Sequence, residues 1–256
     1  MRFKLSLQLQ AKIMGNEIPI NYQYPLQSAI YHILSSCDLE FSTWLHENGY
    51  QKNSGKRFKL FTFSNLIVLN YGIDKERERL IIKSNIVNLY VSFLPEKSTQ
   101  KFIQGLFEHQ IIQIADYISG AQFVVREIQL LPPLEYNPDT VFKTLSPICI
   151  SQRNERNNMD YLSPNDPHYE LGILTGLLAR YNVIKGNAFF GETYCHIHIL
   201  TPPKSTLVRI KAGTPHETRV RGYRYKFKID LPKELMEIAY ESGLGEKGSM
   251  GFGMIG

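Results

Sequence analysis

The chain ends in a glycine-rich segment, GLGEKGSMGFGMIG, at residues 243–256. Gly243, Gly245 and Gly248 match the dinucleotide-binding spacing G-x-G-x-x-G, but that motif must open a helix, and too few residues follow Gly248. Apolar residues are interleaved with the glycines, which is not typical of a flexible linker. Two interpretations remain: a loop whose bare amides bind an anion such as a phosphate, and a purely structural turn.

The histidines offer proton transfer or metal binding. An imidazole titrates at about pH 6.5, and His46 lies away from the apolar stripe of its predicted helix, so a core role is not indicated. His196 and His198 form an H-x-H pair on one strand face, but no third or fourth ligand is nearby in sequence, so we predict no metal site. His168 and His216 lie beside turns and carry no motif.

Composition indicates a soluble globular protein with one large domain or two ordinary ones. The chain has 256 residues, 43% of them hydrophobic and 21% charged. No apolar run approaches the ~18 residues of a membrane helix, and the first residues alternate like a strand, so we expect no membrane association. Three widely separated cysteines predict no disulfide framework and a cytoplasmic location.

Positive charge is concentrated in two stretches. Residues 201–230 contain eight lysines and arginines against two acids, and residues 51–60 contain four cations and no acid. If 219–228 form a strand, Arg224, Lys226 and Lys228 share one face, and three aromatic residues line the other. Basic residues interleaved with aromatic ones indicate a nucleic-acid surface, with a solvated strand face as the alternative.

Hydrophobic periodicity predicts the element order βαββαβ, and this order occurs twice along the chain. In the first half we expect strands at 2–10, 57–70, 79–95 and 121–133, and helices at 24–48 and 96–112. In the second we expect strands at 141–152, 193–202 and 221–232, helices at 167–184 and 232–243, and a short terminal strand. The prediction is an α+β protein with two tandem ferredoxin-like (βαββαβ, RRM-like) domains at 1–133 and 134–256, joined by a linker at 131–140.

Several stretches together resemble a known family. They are the glycine segment with its G-x-G-x-x-x-S-x-G-x-G spacing, the basic-aromatic hairpin before it, and LSPICISQ and DYLSPNDPHYE midway along the chain. The chain resembles the CRISPR-associated endoribonucleases that process precursor crRNA, within the repeat-associated mysterious protein (RAMP) superfamily. The resemblance implies two ferredoxin-like domains, binding of CRISPR repeat RNA, and metal-independent cleavage without a cofactor, leaving 2′,3′-cyclic phosphate and 5′-hydroxyl ends.

RNA cleavage without a metal needs a base for the 2′-hydroxyl, an acid for the departing 5′-oxygen, and a cation or donor for the phosphorane charge. In many archaeal members of this family a tyrosine, a histidine and a lysine supply these functions. The matching positions here are Tyr31, His46 and Lys52, with Lys56 as the alternative cation. Which of His46 and Tyr31 is the acid and which the base stays open.

The site requires a break in the predicted helix at 24–48. In one straight helix Tyr31 and His46 would stand about 22 Å apart and could not share a phosphate. Ser35, with Asp38 three residues later, resembles the capping box that begins a new helix. We therefore expect the helix to bend near this point.

The basic clusters and the resemblance together imply an extended RNA surface, so we expect RNA affinity to fall steeply with salt. CRISPR repeat RNA is the expected partner, and other effector subunits or a second copy are further possibilities. The alternatives are a non-catalytic RNA-binding RAMP subunit and a ferredoxin-like module with no RNA role. The expected RNA-binding residues are Lys56, Arg57, Arg219, Arg221, Arg224, Lys226, Gly243, Gly245, Lys247, Gly248, Ser249, Gly251 and Gly253.

Overall fold

The structure of the chain is a computed structural model that describes residues 1–51 and 55–256. Its helices are α1 Ala11–Met14, α2 Gln23–Cys37, α3 Leu39–Glu47, α4 Glu96–Glu108, α5 Tyr169–Lys185 and α6 Lys233–Ser242, with a 3-10 helix at Gly248–Met250. Its strands are β1 Arg2–Leu9, β2 Glu17–Pro19, β3 Tyr50–Gln51, β4 Arg57–Phe58, β5 Phe61–Phe63, β6 Tyr71–Asp74, β7 Arg79–Ile82, β8 Ile86–Phe93, β9 Ile111–Ala115, β10 Gly120–Leu130, β11 Val141–Lys143, β12 Ser151–Arg153, β13 Met159–Tyr161, β14 His196–Ile199, β15 Lys204–Ile210, β16 Thr218–Arg224 and β17 Lys226–Asp230.

The first half contains an antiparallel sheet in the order β5-β8-β1-β10-β9. Without its edge strand β9, this is the 4-1-3-2 order of a βαββαβ unit, with α2, α3 and α4 as the connecting helices. Leu5 and Leu7 alternate into the core, where both are fully buried. The predicted helix at 96–112 ends at Glu108, because Ile112 and Ile114 alternate inward as part of β9.

The second half repeats the arrangement with a smaller sheet, β11-β17-β14. The terminal segment provides the fourth position, since Ile255 bridges to Thr144 and the Gly256 amide donates to the Lys143 carbonyl at 2.9 Å. The strand predicted at 221–232 is divided, because β16 pairs with β15 whereas β17 pairs with β11 and β14. Of the first strand, predicted at 141–152, residues 141–143 form β11 and residues 151–152 belong to β12, and β15 was not predicted at all.

The helix predicted at 24–48 is broken, as the site requires. Asp38 separates α2 from α3 in an extended conformation, and its side chain accepts a hydrogen bond from the Phe41 amide at 2.8 Å. Ser35 is not the cap, because its hydroxyl donates to the His32 carbonyl within α2. The Ser42 hydroxyl of α3 donates to the Tyr31 carbonyl of α2 at 3.1 Å, which links the two helices. The break predicted from the sequence is confirmed, and the capping residue is corrected to Asp38.

The terminal glycine segment is packed between the two halves. Phe252, Met254 and Ile255 are fully buried, and the Thr62 hydroxyl of β5 donates to the Phe252 carbonyl at 2.9 Å. Gly253 has φ of +78°, and a Cβ there would lie 2.0 Å from the Leu244 carbonyl oxygen. The segment is therefore an ordered structural element with a glycine where no side chain fits.

Two further observations concern membrane-spanning helices and the cysteines. Across the described ranges, no helix has the length and apolar character needed to span a membrane. Cys37, Cys149 and Cys195 are free thiols.

We expect Asp38→Ala to lower the free energy of unfolding by about 1 kcal/mol, because the Phe41 amide loses its cap. Urea denaturation measures this, with Glu40→Ala on the exposed face of the same helix as the control. Asp38→Asn keeps a capping oxygen and should retain most of the stability. Equal stability of Asp38→Ala and Glu40→Ala would contradict the assignment of the cap.

Candidate functional site

The break at Asp38 brings Tyr31 and His46 together. Their ring centroids lie 5.1 Å apart with an interplanar angle of 83°, an edge-to-face contact. His46 is exposed, as predicted, and the two rings open onto a shallow depression of about 350 Å³ between α2 and α3. A second histidine, His32, lines the same depression. It was not singled out from the sequence, because only the bend places it beside His46.

The Tyr31 hydroxyl has an unusual environment. The side chain is 9% exposed and packs edge-on against Phe61, and its hydroxyl oxygen is buried without a hydrogen-bond partner among the described residues. Burial raises the pKa of Tyr31 well above its ordinary value. The phenol therefore remains protonated at neutral pH and can act as a donor.

The described part of the basic stretch, residue 51 and residues 55–60, lies beside the end of α3. Lys52 lies outside the described residues, and Lys56 is exposed with its ammonium 5.7 Å from the centroid of the Phe58 ring. The Lys59 ammonium donates to the His46 carbonyl at 2.5 Å, and the Arg57 guanidinium donates to the Glu47 carbonyl at 2.9 Å.

These two contacts satisfy carbonyls at the negative end of α3. Burial lowers the pKa of Lys59, which is partly covered in this position. The sequence identified Lys59 as one cation of the stretch but not its contact with α3, because contact with a helix end depends on the tertiary fold.

The glycine segment presents backbone amides to a cleft. Lys247 has left-handed backbone angles of φ 59° and ψ 31° and is followed directly by the 3-10 helix. The amides of Lys247, Gly248 and Ser249 have no hydrogen-bond acceptor within residues 1–51 and 55–256. A left-handed residue followed by a right-handed one makes successive amides converge into an anion-binding nest.

The cleft beside this nest has a volume of about 400 Å³ and is lined by Lys56, Arg57 and Lys59 as well as the loop itself. Gly248 approaches the first half closely, since a Cβ there would lie 2.9 Å from the Phe61 carbonyl oxygen. Phe61 also contacts Tyr31 through its ring. The start of β5 thus connects the Tyr31–His46 pair to the glycine loop.

The predicted RNA-binding glycines differ in exposure. Gly245 and Gly248 are partly exposed and line the cleft. Gly243, Gly251 and Gly253 are buried, and added Cβ atoms would meet protein atoms at 3.2, 2.6 and 2.0 Å, respectively. The structure gives these three glycines a packing role rather than an exposed backbone.

The basic face predicted around 219–228 is exposed. Arg224 and Lys226 are exposed, and Tyr225 and Phe227 between and beside them are buried. Arg219 and Arg221 are also exposed on β16, where Arg219 contacts Glu217 and Arg221 donates to the Ser205 hydroxyl at 2.8 Å.

Two directly opposed pairs of like charges surround a shallow depression of about 590 Å³. Lys204 lies opposite Arg224, and Lys143 lies opposite Lys226. None of the four forms an ion pair with a carboxylate in the described part of the chain, whereas Lys228 bonds Asp139 at 2.8 Å. Like charges directly opposite on neighbouring strands are destabilising, so this cluster favours an anionic ligand.

The H-x-H histidines lie on β14 at the edge of the second sheet. His196 Nδ1 is 4.0 Å from Glu170, and the His196 side chain is largely exposed. No group of three or more histidine, cysteine, aspartate or glutamate side chains within the described ranges is arranged to hold a metal ion.

Comparison with known proteins decides the family. The family model for the N-terminal part of CRISPR-associated protein Cas6 matches residues 17–129, and that for the C-terminal part matches residues 131–256. CRISPR-associated endoribonuclease Cas6 1 of Methanocaldococcus jannaschii is 31% identical, and the alignment covers all of this chain and 92% of that protein. The chain belongs to the Cas6 family.

Solved structures agree with the Cas6 fold. A Cas6-related protein of Pyrococcus furiosus superposes with a TM-score of 0.82 at 25% identity, covering 100% of this chain and 97% of that one. A RAMP protein that binds different RNA substrates superposes with a TM-score of 0.79 at 25% identity, covering 100% and 98%. The predicted pair of tandem ferredoxin-like domains is confirmed, and the boundary at 133 stays a prediction.

We expect Tyr31→Phe to raise the free energy of unfolding by up to about 1 kcal/mol, because it removes a buried hydroxyl that has no partner. Tyr22→Phe is the matched control: its hydroxyl accepts from the Leu66 amide at 3.0 Å, and its loss should destabilise the protein. Chemical denaturation compares them. Equal destabilisation by both substitutions would show that the Tyr31 hydroxyl is satisfied in the folded protein.

Proposed function

We propose that this Cas6-family protein is a metal-independent endoribonuclease that binds CRISPR repeat RNA and cleaves precursor crRNA at the Tyr31–His46 pair. The observation that carries the proposal is the convergence of these two rings at 5.1 Å across the break at Asp38. The M. jannaschii and P. furiosus relatives that align with the whole chain are named CRISPR-associated endoribonucleases. Family membership and local geometry therefore support the same reaction.

In the proposed reaction, the 2′-oxygen attacks the adjacent phosphorus as His46 removes its proton. The bond from phosphorus to the 5′-oxygen breaks, and that oxygen receives a proton, which leaves a 2′,3′-cyclic phosphate and a 5′-hydroxyl. Tyr31 is a poor base, because burial keeps its phenol protonated. Its protonated hydroxyl, which has no partner among the described residues, instead suits donation to the leaving oxygen or to the phosphorane once RNA binding makes it accessible.

A positive charge is also needed beside the phosphorane. We assign this to Lys52, with Lys56 as the alternative in the same basic stretch. Arg57 and Lys59 already bind the last carbonyls of α3, which fixes the backbone that carries His46. Among the described residues of the stretch, Lys56 is the lysine that does not bind these carbonyls.

The RNA is proposed to cross the cleft beside the glycine loop. The free amides of Lys247–Ser249 and the adjacent Lys56 supply phosphate contacts, and Gly248 has no side chain to hold the RNA away from the loop. Arg219, Arg221, Arg224 and Lys226 extend the basic surface along the second half. Such contacts recognise the backbone and shape of RNA, with sequence read at unpaired bases.

The alternative is a non-catalytic RNA-binding subunit of a CRISPR effector complex. A Pyrococcus horikoshii relative that is 27% identical over 93% of this chain is named a CRISPR-associated endoribonuclease-like protein. Such a subunit would keep the glycine loop but would not need a converging tyrosine and histidine. The ring pair favours the nuclease, and a module without any RNA role does not account for the free amides.

Location and assembly are further parts of the proposal. The free thiols suit a reducing compartment, and we place the protein in the cytoplasm. Association with other effector subunits and formation of a homodimer stay predictions.

His46→Ala should lower the single-turnover cleavage rate on the order of 10²-fold or more, because the proton acceptor is lost. The assay uses labelled repeat RNA in the presence of EDTA, with RNA binding measured in parallel. Binding should be retained, and His198→Ala, an exposed histidine on β14, should cleave normally. Tight binding by the wild-type chain without cleavage would favour the non-catalytic alternative.

The double variant Lys204→Ala/Arg224→Ala should weaken repeat-RNA binding and make its affinity less dependent on salt. Each lost phosphate contact should reduce the slope of log K against log salt concentration by about 0.7. Lys228→Ala is the control on the neighbouring strand, because Asp139 already neutralises Lys228. Identical slopes for the double variant and the wild type would remove this cluster from the RNA surface.

A further inference from the structure

A buried arginine lies directly beneath the glycine loop. Arg180 of α5 is 4% exposed. One terminal nitrogen donates to the Ser242 hydroxyl at 2.9 Å, to the Ser242 carbonyl at 3.3 Å, and to the Gly243 carbonyl. The other donates to the Gly245 carbonyl at 3.3 Å, and Nε donates to the Gly176 carbonyl. One guanidinium thus binds three backbone carbonyls, those of Ser242, Gly243 and Gly245, at the start of the loop.

The charge of Arg180 is not neutralised by an ion pair with any carboxylate of the described residues. Glu246 exerts a favourable electrostatic effect, but its carboxylate accepts from the Ser151 hydroxyl at 2.6 Å. Burial lowers the pKa of Arg180 to about 10, so the side chain is still cationic at neutral pH. A buried, unpaired charge is unfavourable for stability, and a packed apolar side chain would avoid that cost.

The contacts of Arg180 fix the chain just before the free amides. The carbonyls of Gly243 and Gly245 bind the guanidinium, and the amides on the other side of the same peptide groups, those of Leu244 and Glu246, donate to Gly253 and Cys149. Both sides of each peptide are therefore held. The next residue is Lys247, whose left-handed conformation begins the nest.

We propose that Arg180 is a positioning residue for phosphate binding, which orients the Lys247–Ser249 amides toward the cleft and adds its own positive charge to their field. The ligand is a phosphate group of the RNA, so this inference rests on the proposed function. Arg180 also lines the cleft, so its charge lies close to the proposed phosphate position. A buried cation is only weakly screened by water and salt.

Arg2 provides a matched control within the same chain. It is 3% exposed, donates to the Ile255 carbonyl at 2.5 Å and to the Tyr240 carbonyl, and stacks on the Tyr240 ring at 3.4 Å. Arg2 therefore also holds α6 and the terminal segment through buried carbonyls. It does not contact the backbone that leads into the nest, so its loss tests the effect of reduced stability alone.

The experiment compares Arg180→Lys, Arg180→Met and Arg2→Lys with the wild type at a temperature where circular dichroism shows each to be folded. We expect Arg180→Met to raise the dissociation constant for repeat RNA at least about tenfold and Arg180→Lys to restore part of this loss. For Arg180→Met, the slope of log K for RNA binding against log salt concentration should fall by about 0.7, as expected for one lost phosphate contact. Single-turnover cleavage at saturating RNA should change less than binding, because Tyr31 and His46 are untouched.

A second readout uses inorganic phosphate as the probe. Phosphate should raise the melting temperature of the wild type and of Arg2→Lys more than that of Arg180→Lys, because a ligand stabilises only the fold that binds it. This comparison needs no RNA, so it distinguishes the two hypotheses. If the wild type does not bind repeat RNA, the proposed function is wrong, but the phosphate measurement still tests whether Arg180 supports anion binding at the nest. If Arg180→Met does not fold, RNA binding and the phosphate shift are both measured on Arg180→Lys.

Equal RNA affinities, salt slopes and phosphate shifts for Arg180→Lys and Arg2→Lys would overturn the inference. Arg180 would then only stabilise the fold. A selective loss in the Arg180 variants, at matched stability, supports the positioning role.

Discussion

Close contact between the terminal glycine segment and the two halves of the molecule is the constraint on which the site depends. A Cβ at Gly248 would lie 2.9 Å from the Phe61 carbonyl of β5, and a Cβ at Gly245 would lie 2.5 Å from the Cys149 carbonyl. Backbone therefore packs on backbone across the junction, which only residues without side chains allow. Gly248, which lies at the centre of the three free amides, is one of these residues. The packing across the junction and the proposed anion site thus meet at Gly248.

The second requirement is the bend at Asp38. Without it, the two candidate proton-transfer groups would be separated by most of a long helix. With it, the Tyr31 and His46 rings touch, and Phe61 connects their depression to the glycine loop. The cost at this position is a tyrosine hydroxyl that is buried without a partner in the described part of the chain. Local compromises of stability are expected where a residue is retained for function.

Positive charge is also arranged at a cost in stability. Lys143, Lys204, Arg224 and Lys226 face one another as like-charge pairs, and Arg180 is buried without a carboxylate partner among the described residues. Neither arrangement is favourable for folding alone. Under the proposed function, the phosphate groups of the RNA supply the missing negative charge. The unneutralised cations therefore favour an anionic ligand.

Periodicity and motif spacing in the sequence predicted much of the fold and part of the candidate site. The βαββαβ order, the basic face with Arg224 and Lys226, and the glycine loop are local patterns along the chain. The need for a break before His46 followed instead from the family resemblance, which assigned Tyr31 and His46 to one site. Local patterns failed where pairing partners decide the structure, as at β9, β15 and the division of 221–232 between two sheets.

Only the tertiary structure could show that Asp38 rather than Ser35 caps α3, and that Lys59 and Arg57 bind its last carbonyls. It alone placed Arg180 under a loop more than sixty residues further along the chain. The physical reason is that periodicity reports which face of an element is buried, whereas the partner of a buried polar group is set by the packing of distant elements.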